Sequence, residues 1–331
     1  MHHRQLGTAG PRIAAIGLGT MGMSGGVYGP ANRSEAIATI HAALDAGVNL
    51  IDTGDFYGMG HNEMLVGEAL RGRRDSALLS VKFGALRDPA FAFIGFDGRP
   101  AAVRSFLAYT LQRLGVDEID IYRPARLDPA VPIEDTIGAI ADMVKAGYVR
   151  AIGLSEVGVE TLRRAAAVHP IVDLQIEYSL LSRGIEDGIL PTCRELGIGI
   201  TAYGVLSRGL LSGQFGKASM AANDYRGQSP RFQGDNLDRN LALVDRLRNV
   251  AQDHGATVAQ IAIAWVLARG NDIVPIIGAR RPAALAETLG ALELTLSVAD
   301  LAAIEQAVPK NAAAGSRYPE AMMAHLDSEG G

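Results

Sequence analysis

The chain has 331 residues and a formal net charge of -5, and 48% of its residues are hydrophobic while only 5% are aromatic. That length suits one large domain or two modest ones, because α/β barrels run past about 250 residues as a single domain. Charges of both signs are mixed along the chain, and the absence of a basic run argues against nucleic acid or anionic lipid as a partner.

The cysteine and histidine content and the length of the apolar runs exclude several kinds of protein and of site. Cys193 is the only cysteine, which excludes an internal disulfide and a thiolate metal cluster. The seven histidines show neither an H-E-x-x-H motif nor a Cys/His spacing, so we predict no metal site. Because no apolar run approaches the ~18 residues of a membrane span, we expect a soluble cytoplasmic protein. A homo-oligomer is compatible with these features.

Residues 17–26, GLGTMGMSGG, fit two patterns that exclude each other. One is the G-x-G-x-x-G dinucleotide fingerprint, and the other is the G-x-S-x-G nucleophile elbow around Ser24. Each needs a helix that begins directly at the motif. Here MSGGVYGPANR follows Gly22, and a helix is predicted only near Ser34. We therefore interpret the stretch as a glycine-rich loop after a first strand.

Apolar, β-branched runs that end at turn signals predict eight strands. They cover residues 13–19, 49–53, 77–83, 119–125, 151–155, 173–179, 199–205 and 273–279. Segments with helical spacing lie between them, and several end on a glycine such as Gly47, Gly115 or Gly147. This alternation predicts a (β/α)8 TIM barrel.

Three stretches exceed the usual loop length, and we expect them at the C-terminal face of the barrel. They are residues 84–100, residues 206–238 and a tail from about 308 to 331. No linker divides the chain, so one domain is predicted. The tail is expected either to cover the site or to be mobile.

The strand ends carry the candidate functional residues, because a barrel of this kind has its chemistry at that face. Lys82 follows an apolar strand and needs a counter-charge, and Asp52 ends the neighbouring strand. Tyr57 lies one loop turn beyond Asp52. A lysine ammonium beside a tyrosine favours the phenolate, so the three could exchange a proton near neutral pH. A purely structural ion pair with Tyr57 packed on it is an equal alternative from spacing alone.

At this point the sequence resembles the aldo-keto reductase family over roughly residues 13–293. The matching segments are GLGTMGM, DTGDFYG, NEMLVGEAL, SVKFG, LQRLGVDEIDIY, GYVRAIGLSE, LQIEYSLL, AYGVLSRGLLSG and PIIGARRP. The resemblance implies a (β/α)8 barrel that binds NADP(H) without a Rossmann domain. It also implies that Tyr57 is the general acid in carbonyl reduction, tuned by Lys82 and Asp52.

The resemblance also implies a cofactor site. Ser155 and Gln175 would bind the nicotinamide carboxamide, Tyr203 would stack on its ring, and Arg280 with Arg281 would meet the adenosine 2′-phosphate. The remaining implied cofactor residues are Gly19, Thr20, Met21, Gly204, Leu206, Arg208, Leu210, Gly278, Glu287 and Thr288. Because an arginine fork matches phosphate oxygens, NADPH is favoured over NADH. Thr288, and Ala284 nearby, depart from the family's usual residues at the adenosine end.

One departure bears on catalysis. The family's catalytic histidine at the end of the fourth strand aligns with Ala125, which offers neither a hydrogen bond nor a charge. Losing one oxyanion donor costs about 2.7–4 kcal/mol, or about 10²–10³ in rate. Arg123, or His61 in the loop after Tyr57, could replace the donor. The predicted substrate pocket comprises Tyr28, Phe56, Phe83, Ala125 and Arg123.

Three hypotheses follow. The first is an NADPH-dependent reductase of aldehydes or ketones that also runs as an alcohol dehydrogenase. The second, prompted by Ala125, is a regulatory or sensor protein that binds NADP(H) and has weak or vestigial catalysis. The third keeps the enzyme and assigns the space at Ala125 to a larger ketone or alcohol, such as a sugar or vitamin.

Overall fold

A closed barrel of eight parallel strands forms the centre of the computed structural model, which describes residues 1–25, 29–216, 220 and 224–330. The strands in chain order are β1 (His3–Gln5), β2 (Arg12–Ala14), β3 (Gly17–Gly19), β4 (Leu50–Gly54), β5 (Leu78–Phe83), β6 (Ala85–Arg87), β7 (Phe93–Phe96), β8 (Ile119–Pro124), β9 (Val149–Ser155), β10 (Ile171–Glu177), β11 (Gly199–Tyr203) and β12 (Ile273–Gly278). The barrel runs β3-β4-β5-β8-β9-β10-β11-β12 and closes from β12 back to β3.

Helices follow the barrel strands, as the alternation predicts. They are α1 (Arg33–Asp45), α2 (His61–Ala69), α3 (Pro100–Leu114), α4 (Ile133–Lys145), α5 (Val159–Val168), α6 (Ile189–Leu196), α7 (Gly234–Asp253), α8 (Val258–Ala268), α9 (Pro282–Leu289), α10 (Val298–Ala307) and α11 (Glu320–Met323). Gly115 ends α3 with a φ of 67°, a left-handed conformation that glycine adopts without strain. The (β/α)8 fold class is therefore confirmed.

The glycine-rich stretch after β3 is a loop, because α1 begins only at Arg33. A short 3-10 turn covers Met21–Ser24, and Asn32 caps α1 by accepting from the backbone N–H of Glu35. Gly22 thus opens no helix, and neither a Rossmann fingerprint nor a nucleophile elbow is present at this position.

The first predicted strand, residues 13–19, is divided in the structure. Arg12–Ala14 pair antiparallel with β1, and only Gly17–Gly19 belong to the barrel. Leu6 and Ile13 of this hairpin pack inside the barrel against residues of the strands, among them Leu50. The apolar run is continuous because both elements in it are buried: β2 closes the floor of the barrel, and β3 is a strand of its wall.

Alternation along β5 and β8 decides which side chains reach the barrel interior. Lys82 and Arg123 point inward, whereas Phe83 and Tyr122 point outward and stack with ring centroids 4.4 Å apart. Phe83 also contacts Phe106 of α3 and is only 1% exposed. The prediction that Phe83 lines the substrate pocket is corrected, because its ring belongs to the core between strand and helix.

Two of the three long stretches meet above the barrel. Residues 84–100 form the β6–β7 hairpin, whose Phe93 and Phe96 contact the ring of His325 in the C-terminal tail. Gly158 N donates to Asp327 of the same tail at 2.7 Å, just beyond the end of β9. Among the described residues, no helix is long and apolar enough to cross a membrane.

Candidate active site

A lysine, an aspartate and a tyrosine meet at the carboxyl ends of β4 and β5. Lys82 Nζ donates to Asp52 Oδ1 at 2.5 Å, and both side chains are buried. The same Nζ lies 5.1 Å from the centroid of the Tyr57 ring, which is half-buried in the turn after β4. Burial lowers the pKa of Lys82, and the charge of Asp52 opposes that effect. The structure brings together the three side chains predicted to exchange a proton.

Two neutral side chains fix the aspartate in place. Asp52 Oδ2 accepts from Ser80 Oγ at 2.8 Å and from Gln175 Nε2 at 2.7 Å. Gln175 Oε1 in turn accepts from Lys82 Nζ at 2.9 Å. Gln175, which the family resemblance assigns to the nicotinamide, therefore has both ends of its amide on the Lys82–Asp52 pair.

Arg123 lies below this layer, inside the barrel. Its side chain is fully buried, with Nη1 2.7 Å from Asp173 Oδ2 and Nη2 2.9 Å from Ser80 Oγ. Thr201 Oγ1 donates to the same Asp173 oxygen at 2.5 Å. Because Arg123 is enclosed among these partners, the prediction that it lines the substrate pocket or replaces a substrate donor is corrected.

The other predicted pocket residues differ in their surroundings. Phe56 is half-buried and packs edge-on against Tyr57, with centroids 4.8 Å apart and planes at 74°. Ala125 directly follows β8, is 2% exposed and donates its N–H to the Phe83 carbonyl at 2.8 Å. Tyr28 lies outside the described residues. His61 is exposed, and its Nδ1 lies 3.0 Å from Ser24 Oγ.

Three predicted nicotinamide contacts, Ser155, Gln175 and Tyr203, lie at or near the carboxyl ends of three consecutive strands. Gln175 of β10 pairs in register with Ser155 of β9, and Glu177 pairs with Tyr203 of β11. The Tyr203 hydroxyl donates to Glu156 Oε1 at 2.7 Å. Burial, together with the charge of Glu156, raises the pKa of Tyr203 well above its usual value. This phenol is therefore neutral and fixed in orientation.

The segment after β11 turns sharply beside this row. Gly204 has a φ of 65°, and a Cβ there would lie 3.0 Å from Glu177 Cγ. Arg208 donates from Nη2 to Glu177 at 3.5 Å, and its guanidinium lies 4.2 Å from the centroid of the Tyr318 ring. Leu206 is half-buried, whereas the Leu210 side chain is in the core. Leu210 as a whole residue is therefore enclosed in this structure.

The ends of β3 and β12 are neighbours in the barrel, since Gly278 pairs with Gly19. Thr20 is buried, and its hydroxyl bonds the Asp52 carbonyl at 2.8 Å, while Met21 is half-buried. Arg280 and Arg281 are exposed beyond β12, and Arg280 Nη1 donates to the Pro30 carbonyl at 3.1 Å.

Helix α9 carries the two predicted adenosine contacts. Glu287 is half-buried, and its carbonyl accepts from Gln260 Nε2 at 2.9 Å. Thr288 is buried, and its hydroxyl bonds the Leu285 carbonyl at 2.8 Å. The Thr288 side chain thus faces the helix and not the outer edge of the barrel.

The C-terminal tail is seated on the mouth through Arg317. Its Nη2 and Nη1 donate to the two oxygens of Glu156 at 2.6 and 2.9 Å, and its Nε donates to Glu329 at 2.8 Å. Burial alone would raise the pKa of Glu156, but the ion pair with Arg317 outweighs it and lowers that pKa to about 2. Tyr318 OH lies 3.0 Å from Tyr203 OH. The tail is thus linked to the end of β9 and to the Tyr203 phenol.

Asp55 forms a second titratable position close to Tyr57. One of its oxygens accepts from the Gly84 N–H at 3.2 Å, while the other is buried and has no hydrogen-bond partner among the described residues. Burial, and next the negative charge of Glu63, raise the pKa of Asp55 to about 7. The pKa of a carboxyl group two residues before the tyrosine is thus shifted from the usual range of an aspartate towards neutral pH.

The donor set suits a phosphorylated dinucleotide and not a metal ion. A hydroxyl at Ser155, an aromatic face at Tyr203 and cationic forks at Arg208, Arg280 and Arg281 match, in turn, an amide, a ring and phosphate groups. Within the part of the chain that the structure describes, no group of three or more His, Cys, Asp or Glu side chains could hold a metal ion.

Comparison with known proteins agrees with this geometry. Residues 15–309 match the model of the aldo/keto reductase family. The chain belongs to the aldo-keto reductase family. It is 42% identical over 315 residues to Probable aldo-keto reductase 1 of Glycine max, covering 95% of this chain and 91% of that protein. This membership makes the protein an oxidoreductase.

Two solved structures of aldo-keto reductases are similar to it. The glycerol dehydrogenase AKR11B4 from Gluconobacter oxydans is 29% identical with a TM-score of 0.85, covering 93% of this chain and 95% of that chain. The thermostable aldo-keto reductase Tm1743, solved in complex with the inhibitor epalrestat, is 29% identical with a TM-score of 0.74, covering 93% of this chain and 100% of that chain.

The ion pairs at the barrel mouth were not predicted from the sequence. Glu156 follows Ser155 directly and has a φ of 54°, unusual for a residue other than glycine. Its partner Arg317 is 161 residues away. A pattern search finds no such pair, although the buried glutamates after β9 and β10 needed counter-charges from some part of the chain.

Proposed function

We propose that this aldo-keto reductase interconverts aldehydes or ketones and their alcohols with NADP(H), using Tyr57 as the general acid and base. The observation that carries the proposal is the buried Lys82 ammonium, 2.5 Å from Asp52 and 5.1 Å from the centroid of the Tyr57 ring. A cation held there favours the phenolate form of Tyr57. The tyrosine can then donate a proton to a substrate oxygen and recover it in the reverse direction.

Asp52 holds the lysine in this position. Its two oxygens accept from Lys82, Ser80 and Gln175, so the ammonium cannot leave the layer beneath the tyrosine without breaking several hydrogen bonds. We assign Lys82 to electrostatic tuning of Tyr57 and Asp52 to the positioning of Lys82.

Residues at the ends of β9, β11 and β12 would hold the cofactor. Ser155 supplies a hydroxyl for the carboxamide, Tyr203 an aromatic face, and Arg208, Arg280 and Arg281 positive charge for phosphates. NADPH, when bound, supplies the hydride. The exposed arginine pair after β12 favours NADPH over NADH, because a 2′-phosphate adds charge that two guanidinium groups can neutralise.

The test is turnover of NADPH with a panel of aldehydes, ketones and quinones, and of NADP⁺ with alcohols. Polyols belong in the panel, since one structural neighbour is a glycerol dehydrogenase. Tyr57→Phe removes the proton donor while keeping the ring against Phe56, and we expect kcat to fall by at least about 10². Tyr109→Phe, which changes an exposed tyrosine on α3, is the matched control. Turnover by Tyr57→Phe near that of wild type would overturn the assignment.

Ala125 favours a second candidate, an NADP(H)-binding regulatory or sensor protein with vestigial catalysis. The methyl group at this position is buried and offers no donor to a substrate oxygen. Tight NADPH binding without turnover, together with activity that appears in Ala125→His, would support this candidate. Wild-type turnover that depends on Tyr57 would exclude it.

A further inference from the structure

Arg126 is a cation at the barrel mouth that forms no direct ion pair with a carboxylate of the described residues, and Glu156 acts on it only at longer range. It follows Ala125 immediately after β8 and is partly buried. Its Nη1 donates to the Ala125 carbonyl at 2.6 Å and lies 3.3 Å from Ser155 Oγ. No carboxylate among the described residues lies within 4.0 Å of this guanidinium, in contrast to Arg123 and Arg317.

The other donors of Arg126 are open. Nε and Nη2 donate to no acceptor among the described residues, and neither is an enclosed unpartnered atom, so both are accessible at the mouth. An arginine fork offers two parallel N–H groups, the arrangement that binds a carboxylate in bidentate fashion. Burying a cation is unfavourable unless an anion compensates it, and Glu156, whose charge reaches Arg126, is itself bound directly by Arg317. An anion from outside the chain can therefore pair directly with Arg126.

The position of Arg126 relative to Lys82 connects it with the reaction. Ser155, which Arg126 contacts, pairs in register with Gln175, and Gln175 Oε1 lies 2.9 Å from Lys82 Nζ. Arg126 is also one of the positive charges near enough to disfavour the ammonium form of Lys82. The free donors of Arg126 therefore lie beside Ser155, at the same end of the barrel as the Lys82–Asp52 pair.

Nearby carboxylates are committed to other cations. Glu156 is bound by Arg317, and Glu177 lies within 3.5 Å of guanidinium nitrogens of Arg208, Arg231 and Arg317. The mouth thus holds more positive than negative charge on its β8–β11 side. Ala125, with only a methyl group, leaves the approach to Arg126 free of a larger side chain.

We infer that Arg126 binds a carboxylate on the substrate, so that the preferred substrates are oxo acids and, in the reverse direction, hydroxy acids. The inference rests on the proposed reductase function and adds a substrate class to it. Arg126 would bind a group other than the reacting carbonyl and is a specificity-determining residue.

The experiment compares acids with their own methyl esters, which share a carbonyl and differ in charge. Two pairs sample a short and a long spacing: pyruvate with methyl pyruvate, and 4-formylbenzoate with methyl 4-formylbenzoate. A charge-assisted hydrogen bond contributes about 10- to 100-fold in kcat/KM. We expect wild type to prefer the acid by that factor in at least one pair. Arg126→Met should abolish the preference, and Arg126→Lys should restore part of it.

Arg104→Met is the matched control, because it removes a charge from the exposed pair with Asp142 on the outer helices. The ratio of acid to ester should be unchanged in this variant. A wild-type enzyme that reduces the esters but shows no preference for either acid would overturn the inference and leave the proposed function intact. An equal loss for acids and esters in Arg126→Met, with weaker NADPH binding, would assign Arg126 to the cofactor and also overturn it.

A binding readout separates the inference from turnover. Calorimetric titration of succinate into the NADP⁺-loaded protein should show binding by wild type and a loss of at least about tenfold in affinity in Arg126→Met. If the protein shows no turnover but the succinate affinities differ in this way, the proposed reductase function is refuted and the anion site is supported. Equal succinate affinity in the two proteins would refute the anion site itself.

Discussion

The buried pair of Arg123 and Asp173 offers a direct test of how the barrel interior is held together. Both side chains are 0% exposed, with 2.7 Å between Nη1 and Oδ2. Removing one member leaves an unpaired buried charge, which costs about 3–5 kcal/mol. An unfolding entropy of about 2.1 cal/mol/K per residue gives roughly 0.7 kcal/mol/K for a chain of this length. Asp173→Asn should therefore lower Tm by roughly 4–7 °C.

Differential scanning fluorimetry of four proteins measures this effect. The exposed pair of Arg104 and Asp142, 48% and 61% exposed, is the control, and Asp142→Asn should change stability by less than about 1 kcal/mol. Within the described part of the chain, Arg123 Nε and Asp173 Oδ1 are buried without hydrogen-bond partners, so the double variant Arg123→Met/Asp173→Leu should recover most of the loss. A Tm for Asp173→Asn equal to that of Asp142→Asn would refute the reasoning.

Three further outcomes are expected. Arg317→Ala removes the cation that binds the tail to the mouth, so amide hydrogen exchange in residues 316–330 should rise while exchange in α4 stays unchanged. Burial raises the pKa of Asp55 to about 7, so the folded protein keeps a proton that the unfolded chain loses above about pH 4. The free energy of unfolding of wild type, measured in urea, should therefore fall as the pH rises from about 4 to about 7, and Asp55→Asn should flatten that slope. Gly67→Ala would place a Cβ 2.3 Å from the Leu114 carbonyl oxygen and should lower the free energy of unfolding by about 1–3 kcal/mol. Gly138→Ala, whose Cβ would meet no atom of the described residues within 4 Å, should raise it by up to about 1 kcal/mol, and equal Tm values for the two variants would contradict the close approach of α2 and α3.

The sequence predicts which residues lie at the end of a strand, but it does not predict which of them point into the barrel and which point outward. Lys82 and Phe83 are adjacent at the end of β5, and both were assigned to the site. Only the register of β5 in the closed barrel decides that Lys82 faces inward and Phe83 outward. An apolar strand buried on both faces gives no alternation from which its phase could be determined.

For the same reason, the sequence does not predict the different positions of Arg123 and Arg126. Both lie near the end of β8, and their charge alone does not distinguish a residue of the barrel interior from one of the mouth. In the structure Arg123 is enclosed by Asp173 and Ser80, and Arg126 has open donors beside Ser155. Of these two arginines, only Arg126 therefore has donors that a ligand at the mouth could reach.

By itself the sequence determined the eight-strand barrel, the helices between the strands and the residues grouped at the strand ends. Those features follow from local periodicity, from glycines at helix ends and from short-range order along the chain. Tertiary structure decided which strand-end side chains face inward, the split of residues 13–19 and the seating of the tail through Arg317 on Glu156. These depend on partners far apart in the chain, such as Glu156 and Arg317 at a separation of 161 residues, and contacts at such separation leave no periodic signal in the chain.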